Sequence, residues 1–125
     1  MSKQMYPMLI NGQTVLAKES IEVNDPSTGQ VLGRVPDADE ASIQDALTAA
    51  DAGFKVWSAK TPAERKAVIL RYADLLEEHS ERIIALLMAE TGKPKDNAEY
   101  DFGMLPTCLR FFVEEYERLD QPVLH

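Results

Sequence analysis

Glu90-Thr91-Gly92-Lys93-Pro94 falls where one helical pattern stops and another begins, and its reading decides how the chain is organised. Gly92 offers the left-handed backbone that closes a helix, and Pro94 suits the first turn of the next. Upstream, Ile83, Ile84, Leu86 and Leu87 carry an apolar surface from a restart at Ser80 to Thr91. Before that, Thr61-Pro62-Ala63-Glu64-Arg65 has the chemistry of a helix start. The Thr oxygen can accept from the third helical amide, Pro fits the first position, and Glu64 can reach back to the cap amide. Val68, Ile69, Tyr72, Leu75 and Leu76 predict the buried stripe of this helix, with Arg71, Asp74, Glu77 and Glu78 toward water.

Downstream of the corner, the pattern predicts a helix from Lys95 to Arg118 with Leu105, Leu109, Phe112 and Tyr116 on one seam. Pro106 lies inside it and predicts a kink or a delayed start. Asp120 to His125 reads as extended chain. Toward the N-terminus, Ile43, Ala46, Leu47, Ala50, Phe54 and Trp57 recur at three- and four-residue steps, with Asp39 as N-cap. Residues 7–35 read as strands. Met8-Leu9-Ile10 and Thr14-Val15-Leu16 flank Asn11-Gly12, the dipeptide suited to the positive φ angles of a tight hairpin. Ile21-Glu22-Val23 and Gln30-Val31-Leu32 flank a longer turn, Asp25-Pro26-Ser27-Thr28-Gly29. The expected chain is thus two short β-hairpins over 7–35 followed by three to four amphipathic helices over 39–118. Two small hairpins cannot cover that much helix, and helices bury their stripes against a complete layer, so the pattern predicts an incomplete domain.

Composition narrows the function. The 125 residues allow one modest domain, and 45% hydrophobic with 27% charged residues is ordinary for a globular chain. With 21 acidic against 13 basic side chains the net charge is −8. That balance opposes phosphate backbones and anionic lipid, and no Lys/Arg cluster offsets it, so neither nucleic acid nor membrane is an expected partner. No apolar run approaches the length of a membrane span and the N-terminus lacks a secretory pattern, so a cytoplasmic location is expected.

Few residues offer chemistry. Cys108 is the one thiol, but its mid-helix place beside Leu109 reads as packing, not as an activated nucleophile. His79 stands among acids at a helix end, where a histidine suits the dipole. Gly92-Lys93 is no phosphate loop, because position 87 is Leu and position 94 is Pro. The six glycines do not form Gly-x-Gly-x-x-Gly. The pairs Glu77/Glu81 and Glu114/Glu117 lack a His at metal-ligand spacing and read as solvated surface.

Taken in order, these pieces resemble the opening of an NAD(P)-dependent aldehyde dehydrogenase, and the likeness covers essentially the whole chain. Ile10-Asn11-Gly12 is similar to the family's first strand turn, Asn24 to Gly29 to its Asn-Pro-x-Thr-Gly hairpin (with Asp25 before Pro26), and Val35-Pro36 to its strand end. Ala50 through Trp57 resembles a helix ending in Ala-x-x-x-Phe-x-x-Trp. The Ala63-Glu64-Arg65 helix, the Glu90 to Pro94 corner and Leu109-Arg110-Phe111-Phe112 follow.

The resemblance implies an α/β aldehyde-dehydrogenase-like fold. Residues 1–125 would be its N-terminal segment, with the catalytic and most of the cofactor-binding domain outside it. It implies, for the complete enzyme, thiolate attack on an aldehyde or semialdehyde and hydride transfer to NAD or NADP, then hydrolysis to a carboxylic acid. None of the residues carrying those steps has a counterpart here, so no catalytic or cofactor-binding residue is assigned. A homo-oligomer is implied for the complete enzyme. A monovalent cation is implied too, held by main-chain oxygens at Val23 and Asn24 and by the carboxylate of Asp101. The rival reading is a truncated, non-catalytic module whose exposed apolar helix faces bind another protein.

Overall fold

The computed structural model describes residues 5–119. The expectations for Asp120 to His125, and for the side chain of Glu117, lie outside the described residues. Four strands precede four helices: β1 (Met8–Ile10), β2 (Gln13–Val15), β3 (Glu19–Asn24), β4 (Val31–Asp37), α1 (Glu40–Ser58), α2 (Pro62–Glu78), α3 (Ser80–Thr91) and α4 (Lys95–Leu119). They divide into two compact units, one comprising 5–58 with 89–92 and the other 59–88 with 93–119.

In the first unit each hairpin is an antiparallel pair. β1 and β2 are joined through Asn11 and Gly12, whose φ angles of 51° and 74° are those the dipeptide favours. β3 and β4 pair from Glu19↔Asp37 to Asn24↔Val31, with an irregularity between Val23 and Asn24. Arg34 fastens this ladder: its Nε donates to Ser20 Oγ at 2.9 Å and its Nη1 to Glu22 Oε1 at 2.5 Å. The connecting turn is held by Asp25, whose Oδ1 accepts from the Ser27 amide at 2.7 Å while Gly29 N donates to its carbonyl at 2.8 Å. Gly29 takes φ 69°, which releases the chain into β4. Asp39 caps α1 by accepting from Ser42 N at 2.8 Å.

α1 departs from expectation. Its stripe of Ile43, Leu47, Phe54 and Trp57 is exposed, Phe54 to 68%, and no residue of the helix is buried. Periodicity made the helix amphipathic, but nothing among the described residues covers that face.

The second unit has the buried apolar side chains of the described residues: Ala73, Ala98, Pro106 and Val113. α2 starts on a complete capping box. Glu64 N donates to Thr61 Oγ1 at 3.3 Å and Thr61 N donates to Glu64 Oε2 at 2.8 Å. The α2 helix ends at His79, whose amide is shared between the Leu75 and Leu76 carbonyls, so the restart at Ser80 stands as expected. Pro94 lies one step outside its expected position. Its carbonyl accepts from Ala98 N at 3.1 Å and α4 begins at Lys95. Pro106 neither delays nor interrupts that helix, which is continuous from Lys95 to Leu119.

The stripes of α2 and α4 also need correction. On α2, Ala73 is fully buried and Ile69 and Leu76 are half-buried beside it, whereas Val68 and Tyr72 are 50% and 49% exposed. On α4, Ala98, Phe102, Pro106, Leu109 and Val113 form the covered line, and Leu105, Phe112 and Tyr116 lie largely outside it. Each helix carries an apolar band wider than one partner can cover, and contact between α2 and α4 selects one edge of each. Val68, Tyr72 and Leu75, with Ala67 and Arg71, are left lining an open, shallow hollow along α2. Burial this sparse is that of a segment of a domain, not of a closed one.

Candidate functional site

Two arrangements gather the sequence motifs, one in each unit. In the first, the end of α3 meets the β3–β4 turn. Gly92 has φ 69°, and a Cβ placed there would stand 3.1 Å from Pro26 Cγ and 3.4 Å from Ser27 Oγ. Glycine is therefore favoured twice, by its backbone angle and by the tight approach of the turn. The Asp-Pro-Ser-Thr-Gly turn and the Glu-Thr-Gly corner, distant in sequence, are one contact.

In the second unit α2 and α4 are cross-linked at their surface. Arg110 Nη2 donates to Asp74 Oδ1 and to Glu77 Oε2, each at 2.9 Å. These two carboxylates, Asp74 first, raise the guanidinium above its ordinary pKa. Further along, Arg65 donates to the Tyr116 hydroxyl at 2.5 Å and lies 5.2 Å from that ring's centre. Val113 sits between Arg110 and Tyr116 on α4 and is buried by the same contact. Asp74 and Glu77, expected to face only water, are thus half of the α2–α4 clamp. The sequence carried no signal for it, because the partners lie 33 and 36 residues away.

Of the implied cation ligands, Val23 and Asn24 are neighbours at the irregular end of β3 in the first unit, and Asp101 belongs to the second. Asp101 is already engaged: its Oδ2 accepts from Lys93 Nζ. A carboxylate so neutralised does not fit the role of an anionic cation ligand, and no grouping of three or more His, Cys, Asp or Glu occurs among the described residues. Nor do the described residues fit a dinucleotide. Both sheets are two-stranded and antiparallel, without the parallel strand and Gly-rich helix start that hold a pyrophosphate. Cys108 is half-buried in the middle of α4, and His79 serves as the C-cap of α2. Glu77 and Glu81 are both exposed. No helix among the described residues is long and apolar enough to cross a membrane.

Residues 14–125 match the aldehyde dehydrogenase family. The chain belongs to that family. Among its relatives, glutarate-semialdehyde dehydrogenase of Pseudomonas putida is 33% identical over 112 residues, covering 88% of this chain and 23% of the relative. Malonate-semialdehyde dehydrogenase of Pseudomonas aeruginosa is 41% identical over 91 residues, covering 72% and 18%. Among solved structures, NADP-dependent glyceraldehyde-3-phosphate dehydrogenase from Bacillus halodurans, complexed with NADP, superposes with a TM-score of 0.89 at 31% identity. That match covers 94% of this chain and 25% of the other. A variant of Thermus thermophilus 1-pyrroline-5-carboxylate dehydrogenase gives 0.92 at 27% identity, covering 98% and 24%. This aldehyde dehydrogenase chain therefore spans about a quarter or less of the length of these relatives, corresponding to their N-terminal part. The two hairpins and four helices are the aldehyde dehydrogenase fold over that stretch.

Proposed function

We propose that these 125 residues are a framework segment of an enzyme that oxidises an aldehyde or semialdehyde to a carboxylic acid, NAD or NADP accepting the hydride. The observation that carries this reading is the match of residues 14–125 to the family, with semialdehyde dehydrogenases prominent among the relatives. The segment itself performs no step of that reaction. The thiol nucleophile, the general base and the dinucleotide cradle belong to other parts of the whole enzyme. Its contribution is positional: the Gly92–Pro26 contact and the α2–α4 clamp fix two pieces of scaffold whose remaining apolar surface awaits the rest of the enzyme. A cytoplasmic location and a homo-oligomeric whole enzyme belong to the same reading.

The test is turnover. The purified 125-residue chain, offered short semialdehydes with NAD or NADP, is expected to produce no reduced nicotinamide. Measurable production by the pure chain would sink the claim that it lacks the reacting groups. The exposed faces of α1 and α2 favour a second reading, a non-catalytic module that binds another protein through them. The intact mass of the polypeptide in its source cell separates the two. A mass several times the 14.0 kDa of this chain supports the framework reading, and a mass near it supports the binding module.

A further inference from the structure

The family resemblance gives Asp101 a metal ion, whereas the structure gives it an ammonium group. Asp101 lies in the second turn of α4, and Lys93 stands just before that helix; their side chains are each 42% exposed. Pro94 disfavours the α conformation at Lys93, and the Pro94 carbonyl accepts from Ala98 N at 3.1 Å. The start of the helix sets Pro94, and Lys93 must order its own rotamers to reach Asp101.

We infer that the Lys93 ammonium is the built-in monovalent cation of Asp101, so that no sodium or potassium ion takes this carboxylate. A hard metal ion, to give up its water, needs several oxygen ligands converging on it. Lys93 offers Asp101's neighbourhood only N–H donors, and a metal ion at the same carboxylate would face the ammonium's like charge. The inference uses Lys93 and Asp101 alone and stands whether or not the dehydrogenase reading does.

The intact protein, with its aspartate carboxyl carbons labelled with carbon-13, tests this by nuclear magnetic resonance. Loss of a signal in Asp101→Asn assigns the Asp101 resonance. Replacing potassium chloride by choline chloride at constant ionic strength is expected to leave that resonance in place. Lys93→Ala is expected to shift it, and Lys93→Arg to keep it close to the original position. A resonance that moves when potassium is withdrawn overturns the inference. So does one that is the same with and without Lys93, including a signal at the position of an unfolded chain in both.

Discussion

α1 and the α2–α4 pair share one sequence period and have opposite fates. α1 repeats apolar residues from Ile43 to Trp57 at helical spacing and buries none of them. α2 and α4 carry stripes no better marked, yet they cover Ala73, Val113 and the line through Phe102, Pro106 and Leu109. The difference is a partner. α2 and α4 pack on each other, with Arg110 and Arg65 bridging at the rim. Periodicity specifies that a helix has an apolar face; only a second surface specifies that the face is buried.

Overfilling the one well-covered contact is the harshest way to press on that difference. Ala73→Leu puts a larger side chain where Ala73 is 0% exposed and is expected to cost about 1–3 kcal/mol of α2–α4 stability. Ala50→Leu on exposed α1 should change stability little. Urea unfolding of both variants measures the contrast, and equal losses would mean that α1 is as tightly packed as α2.

Glycine substitutions give the next effect. Gly92→Ala meets both a left-handed backbone angle and Pro26, and the backbone alone should cost about 1–2 kcal/mol. Gly53→Ala in α1 has open space around it and should stabilise its helix by up to about 1 kcal/mol. Thermal melting should therefore move in opposite directions for the two variants; a loss at Gly53 would reveal a covering surface over α1. At the start of α2, Thr61→Ala removes half of the capping box and should cost about 1 kcal/mol. Its mark would be faster hydrogen exchange in the first turn of α2, with α1 unchanged.

The smallest effect is with acid. Bonding to the Ser27 amide holds Asp25 below its usual 3.8, Ser42 does the same for Asp39, and the Thr61 amide holds Glu64 below 4.5. A carboxyl depressed on folding stabilises the fold above its unfolded pKa, and that stabilisation is lost as pH falls through the depressed value. Between neutral pH and about 4.5 these caps should hold. Below about 3.8 the β3–β4 turn and the starts of α1 and α2 should loosen together, because such caps occur in both units. Hydrogen exchange at those amides as a function of pH checks the window, and loosening confined to one unit would argue against the shared cause.

Much of the local structure was legible in the residues. Asn11-Gly12 specified its turn, Thr61 and Glu64 their reciprocal cap, and Gly92 the stop of α3, because each acts over a few residues through angles and hydrogen bonds of its own. The order of these motifs was enough to indicate the family.

Tertiary structure decided everything that depends on a distant partner. It chose Ile69, Ala73 and Leu76 over Val68 and Tyr72 on α2, and it turned Asp74 and Glu77 from solvated acids into partners of Arg110. It also set Pro26 against Gly92 and Lys93 on Asp101. The physical reason is range. Turns and caps close within four residues, so their chemistry is written in consecutive letters. A buried edge or an ion pair between helices depends on where another element lies, and no periodicity within one helix contains that information.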